Sequence, residues 1–146
     1  VTLGEVTLTA HRTAGHTRGT TTWTMLAHLP GEPAERLRDV VIVGGTGFWS
    51  EYRFVDGPGH PVSYPGIAED FEQTFAALRA LPCDVFLGAH GSYFDLSAKL
   101  QRYPETGARV FVDPEGYRRY IDDSEQAFEA ALQKQLAATA SNGLAN

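Results

Sequence analysis

The residues of this chain best suited to chemistry are two histidines, each set in a glycine-flanked turn. His16 lies in Thr13-Ala14-Gly15-His16-Thr17-Arg18-Gly19-Thr20-Thr21-Thr22-Trp23, and His90 in Leu87-Gly88-Ala89-His90-Gly91-Ser92-Tyr93-Phe94-Asp95. A neutral imidazole is a common zinc ligand, and a rigid turn fixes its aim. An imidazole in a polar turn is equally a hydrogen-bonded or solvated side chain, and the residue types alone leave both readings open. Each histidine follows a stretch that reads as a strand. Both should therefore stand at strand ends, where open α/β sheets place their sites. Of the other histidines, His11 should point away at a strand end, His28 reads as a surface strand residue and His60 falls in a Pro/Gly-rich loop. Phe48, Trp49 and Tyr52 form either an apolar lip for a ligand or part of the core.

Hydrophobic periodicity locates the elements that must hold these side chains. Over residues 5–11, Val6, Leu8 and Ala10 alternate with Thr7 and Thr9, the pattern of a half-buried strand. Residues 21–29 alternate again, with Trp23, Met25, Ala27 and Leu29 on one side, until Pro30-Gly31-Glu32-Pro33 breaks the run. Val40-Val41-Ile42-Val43 is apolar throughout, as in a strand covered on both faces, and it ends at Gly44-Gly45-Thr46-Gly47. Residues 56–65 are rich in proline and glycine and read as an irregular loop. Ile67, Phe71, Thr74, Phe75 and Leu78 then form one helical stripe, which Pro82 should stop.

Residues 84–87 read as a second buried strand, and residues 96–103 as a short helix. Asp113 and Pro114 supply an N-cap and a first helical residue for a last helix. Its stripe is Tyr117, Tyr120, Ile121, Phe128, Leu132 and Leu136, with Gly116 weakening its first turn. Ser141-Asn142-Gly143 should end it. The order strand, strand, strand, helix, strand, helix, helix predicts an α/β unit with a mixed sheet and helices on one face. The other face is left for something else to cover.

Composition narrows the partners. The chain has 146 residues, enough for one domain with a real core. It carries 12 Lys+Arg against 18 Asp+Glu, a net charge of −6, with no Lys/Arg run. Such a chain is a poor candidate for nucleic acid or an anionic membrane. No apolar run approaches the ~18–20 residues of a membrane span. No signal peptide is visible at Val1, in a sequence that does not start with Met. The single cysteine, Cys83, excludes an intrachain disulfide and leaves the redox compartment open.

The segment from Gly15 to Trp23 is similar to the Gly-His-Thr-x-Gly-x-Thr turn of the metallo-β-lactamase superfamily. Three further segments resemble the third subclass of class B specifically: Tyr64-Pro65-Gly66-Ile67-Ala68-Glu69-Asp70-Phe71, Leu81-Pro82-Cys83-Asp84-Val85 and Gly88-Ala89-His90-Gly91-Ser92. The likeness covers roughly residues 1–136. It implies an αβ/βα sandwich of two similar halves with two zinc ions in the cleft between the sheets. By this resemblance His16 is the third histidine of the first zinc and His90 the last histidine of the second. The family's remaining ligands come from a His-x-His-x-Asp-His motif in the N-terminal half. None of His11, His28 and His60 belongs to such a cluster, so the chain resembles the C-terminal half alone, one unit over residues 1–146 whose tail, 141–146, should fray.

Departures from the family pattern shape the other expectations. Some relatives pair the position of Cys83 with a cysteine whose place here is near Tyr117, so Cys83 should be a free, buried thiol. Relatives often carry serines after the apolar strand, where they hold water or a substrate carboxylate. Here Thr46 can replace one hydroxyl, and Phe48 lies near the other position. Ser92 and Tyr93 sit beside the cleft in the analogy, as substrate contacts or as turn and packing residues.

The activity implied for the parent enzyme is zinc-dependent hydrolysis of the β-lactam ring, in the periplasm or outside the cell. Catalytic zinc takes three protein ligands plus water. One histidine per metal should leave this chain alone inactive, with zinc absent or weakly held. The implied partners are the β-lactam, and the missing N-terminal half or a second copy of the chain. Hydrolysis of a lactone or thioester, and a non-catalytic half-domain that dimerises, are the alternatives.

Overall fold

A computed structural model describes residues 1–57 and 59–143. The alternating and all-apolar segments assemble into one four-stranded sheet of order β3-β4-β5-β6. Its strands are β3 (Thr9–Arg12), β4 (Thr21–His28), β5 (Leu37–Val43) and β6 (Val85–Gly88). β3, β4 and β5 are antiparallel neighbours, and β6 runs parallel to β5. A parallel pair needs a crossover, and α1 (Ile67–Ala80) lies within it. A 3₁₀ turn (Gly91–Phe94), α2 (Leu96–Thr106), a second 3₁₀ turn (Gly107–Phe111) and α3 (Pro114–Gly143) follow.

The single strand read over residues 5–11 is in fact divided. β1 (Thr2–Leu3) and β2 (Val6–Thr7) form a separate two-stranded hairpin, with Thr2 opposite Thr7. The Leu8 N–H donates to the Val1 carbonyl at 2.8 Å and closes it. Val6 and Thr7 take their backbone partners from β1, so pairing to β4 begins only at Thr9. Residues 141–143 continue α3, while residues 144–146 lie outside the described residues.

Register divides the sheet residues between two faces. Val41, Val43 and Phe86 face the helices and are at most 1% exposed. They pack with Ile67, Phe71, Phe75 and Leu78 of α1 and Tyr117, Ile121 and Phe128 of α3. Phe71 is the hub: it stacks on Phe128 at 5.0 Å and meets Phe54 edge-on at 5.5 Å. The opposite face carries Trp23, Ile42 and Leu87 in one row and Met25, Val40 and Val85 in the next. Val40 and Val85 are buried, while Trp23, Met25, Ile42 and Leu87 stay half-buried.

The N-terminus of α3 forms as its sequence predicts. The Gly116 N–H donates to Asp113 Oδ1 at 2.8 Å, and a Cβ at position 116 would meet Asp113 Oδ2 at 2.2 Å. Glycine is therefore what lets the cap close, and its helical cost is offset there. Asp113 Oδ2 also lies 2.8 Å from the ammonium of Lys99, which is 1% exposed. Burial pushes the Asp113 carboxyl up, but Lys99 and the Gly116 N–H outweigh it and hold its pKa below the usual carboxylate range.

A depressed carboxyl pKa contributes stability above the unfolded-state value, and that contribution is lost as pH falls through the folded-state value. Asp113→Asn keeps the cap acceptor and strands the buried ammonium, so urea unfolding at pH 7 should show a loss of about 3 kcal/mol. The gap between variant and parent should close below about pH 4. A gap independent of pH would contradict this account of the pair.

Candidate metal centre

Three connections leave the sheet at one edge. The parallel strands β5 and β6 end opposite each other at Val43 and Gly88, and β4 begins at the same edge because it is antiparallel to β5. The turn before β4 carries His16, and the segment after β6 carries His90. The Ala89 N–H donates back to the Val43 carbonyl at 2.9 Å.

The His16 turn is pinned from several sides. The Thr13 N–H donates to the Thr20 carbonyl at 2.9 Å across its mouth. The Thr74 hydroxyl donates to the Ala14 carbonyl at 2.6 Å, and the Tyr52 hydroxyl to the His16 carbonyl at 2.6 Å. Gly15 has φ +137°, and a Cβ there would sit 2.9 Å from the Phe71 ring. The His16 Nδ1 is 2.7 Å from the Gly47 carbonyl. A carbonyl only accepts, so Nδ1 carries the proton and Nε2 is the nitrogen with a free lone pair. That is the arrangement by which metal-ligating histidines are oriented.

Aromatic rings frame the imidazole. Trp49 lies 5.2 Å away and is 63% exposed, and Tyr52 stacks at 6.4 Å. His90 is exposed, and its ring meets Tyr93 edge-on at 5.2 Å. Gly45 lies between His16 and Tyr93: a Cβ there would be 3.7 Å from the His16 ring and 3.5 Å from the Tyr93 hydroxyl. His16, Tyr93 and His90 thus share one rim, with Ser92 exposed beside them.

Thr46 is 2% exposed and faces inward, its hydroxyl 2.8 Å from that of Tyr120 and 3.0 Å from that of Ser124. Burial pushes the Tyr120 phenol up to about 12. Phe48 is half-buried, edge-on to Phe54 at 5.1 Å and to Phe71 at 5.9 Å, so it anchors its loop in the core. Trp49 is the aromatic residue left at the rim. The His11 Nε2 is 2.8 Å from the Thr24 hydroxyl. His28 and His60 are exposed. Cys83 is free and half-buried, and burial pushes its thiol up to about 12. The Gly47 carbonyl and Tyr120 are parts of the site that sequence reading missed. Tyr120 lay in plain view on the apolar stripe of α3, but a backbone carbonyl leaves no residue-type signal.

The fit to zinc is partial. His16, with Nδ1 engaged and Nε2 free, suits one ligand position, and His90 offers a second imidazole on the same rim. Among the described residues, no three of His, Cys, Asp and Glu come together as a metal-binding group.

Two measurements check this geometry. Long-range ¹H–¹⁵N NMR correlations should show His16 in the Nδ1–H form at pH 7.5, and an Nε2–H tautomer would contradict the assignment. Gly15→Ala should cost about 1–3 kcal/mol in urea unfolding. Gly19→Ala, where a Cβ meets nothing within 4 Å, is the control that should change stability far less.

No protein-family model matches the chain. Solved structures do. The native FEZ-1 metallo-β-lactamase from Legionella gormanii matches at 39% identity and TM-score 0.82, over 92% of this chain and 48% of that one. BJP-1, a subclass B3 metallo-β-lactamase of Bradyrhizobium japonicum, matches at 33% identity and TM-score 0.79, over 94% and 49%. The class B3 di-zinc metallo-β-lactamase LRA-12 from an Alaskan soil metagenome shares the fold at 24% identity and TM-score 0.68, over 90% and 47%. The chain spans about half the length of each of these structures. In fold and in sequence it corresponds to the C-terminal half of the class B3 metallo-β-lactamases.

Proposed function

We propose that this chain is the C-terminal half of a zinc-dependent hydrolase of the β-lactam ring. One observation carries the reading: His16 is held through Nδ1 by the Gly47 carbonyl, with Nε2 free, on a rim shared with His90. In this reading His16 and His90 each hold one of two zinc ions, and the remaining ligands come from an N-terminal half. Bound zinc would supply Lewis-acid polarisation of a carbonyl and a nucleophile available at neutral pH.

The chain's own residues orient and enclose. Gly47 and Tyr52 fix His16 from its ring and its backbone. Tyr93 buttresses His90 and is itself braced by Tyr120, ring to ring at 4.9 Å. Trp49 and Tyr93 give the substrate an apolar wall, and Ser92 offers an exposed hydroxyl. Thr46 acts inward, tying the loop after β5 to α3. The half-buried row of Trp23, Met25, Ile42 and Leu87 is the surface that the N-terminal half covers. No helix of the described residues is long and apolar enough to cross a membrane. A periplasmic or secreted location is the one in which such an enzyme meets its substrate.

The test is nitrocefin turnover by the full-length protein, with a lactone and a thioester assayed alongside. Chelation should abolish turnover and zinc should restore it. His16→Ala and His90→Ala should each lower kcat/KM by more than about 100-fold. The 146-residue chain by itself should show no zinc-dependent turnover. Turnover that survives both substitutions, or that ignores chelation, would refute the reading. Preference for the lactone or thioester would reassign the substrate.

A further inference from the structure

Away from the histidine rim, an open groove of about 610 Å³ runs between α2, the second 3₁₀ turn and the start of α3. Lys99, Arg102 and Glu105 lie along one face of α2, and Arg109 and Arg119 line the groove from the other elements. The chain as a whole has a net charge of −6, yet four cations gather here. Their acidic neighbours in the lining are Asp95, Glu105 and Asp113.

The acids do not neutralise the arginines. Asp113 is committed to Lys99 and to the cap of α3. Among the described residues, none of the guanidiniums of Arg102, Arg109 and Arg119 has a carboxylate within ion-pairing distance or makes a hydrogen bond, whereas Arg12, Arg36, Arg38, Arg79 and Arg118 are all paired. At the floor lies Lys99, 1% exposed. Its ammonium is close to Asp113 Oδ2 but makes no well-directed hydrogen bond. A buried ammonium so poorly satisfied is costly.

We infer that this groove binds a multivalent oxyanion, a ligand carrying several phosphoryl or carboxylate groups. The planar guanidinium donors match oxyanion edges in pairs, and three of them around one groove select several charges over one. The site is independent of the metal centre, because it lies toward the start of β6, where the Asp113 N–H donates to the Asp84 carbonyl, and His90 follows the other end of that strand.

The experiment titrates metal-free full-length protein with tripolyphosphate and, separately, with citrate at low ionic strength, followed by backbone amide NMR. Removing the metal keeps either anion from acting through zinc. Expected is saturable binding of at least one anion, with shifts centred on residues 98–119 and weakening as salt is added. Arg102→Gln/Arg109→Gln should weaken it by about tenfold or more, while Arg53→Gln, which removes a cation elsewhere, should not. These arginines are exposed, so the double variant should remain folded, and its amide spectrum verifies that. The tripolyphosphate and citrate arms tell a phosphoryl ligand from a carboxylate one. Binding of neither anion, shifts centred elsewhere, or equal affinity in the double variant overturns the assignment.

Discussion

Val43 and Gly88 stand opposite each other at the ends of two parallel strands, and the placement of the histidines follows from that pairing. Parallel neighbours send their following segments out at the same edge. β4, being antiparallel to β5, starts at that edge too. The turn bearing His16, the loop bearing Gly45 and Gly47, and the segment bearing His90 are therefore forced together by sheet topology. An antiparallel β6 would have carried His90 to the far end of the sheet. The parallel arrangement holds because α1 bridges the crossover and buries its stripe against Val41, Val43 and Phe86.

The same core that stabilises the sheet aims the rim. Phe71 is at once the hub of the aromatic cluster and the surface on which Gly15 rests. α3 reaches the loop after β5 through Tyr120 and Ser124 at Thr46. It does so again through Gln135, which accepts from the Phe54 N–H and donates to the Tyr52 carbonyl, each at 2.8 Å. Tyr52 in turn donates to the His16 carbonyl. The path from α3 to the His16 turn is thus continuous and made of satisfied hydrogen bonds, the condition for a loop-borne ligand to be preorganised.

The two ends of β6 do different electrostatic work. At the rim the groups are imidazoles and phenols. At the start of the strand lies the Lys99–Asp113 pair, with the arginine-lined groove beside it. An acidic chain without a basic run is an unpromising anion binder by composition. Cations at positions 99, 102, 109 and 119 become a cluster only because α2, the 3₁₀ turn and α3 fold against one another.

Periodicity made most of the architecture legible. All five residues of the α1 stripe are buried, the Asp113 cap forms, and the two apolar runs pair as parallel strands. Where the reading slipped, at residues 5–11, alternation was present but Thr2 and Leu3 took the hydrogen bonds of Val6 and Thr7, a competition that alternation does not encode. At the site, the residue types and spacing of the two turns singled out His16 and His90. They did not fix where Thr46 and Phe48 point, because a loop residue's direction depends on what packs beneath it: Phe48 found Phe54 and Phe71, and Thr46 found α3. Local sequence thus determined which segments are strands and helices and which side chains are candidate ligands, since propensity and period act over a few residues. Only the tertiary structure decided that His16 presents Nε2, that Trp49 and not Phe48 stands at the rim, and that scattered arginines share a groove. Those outcomes rest on contacts between segments far apart in the chain.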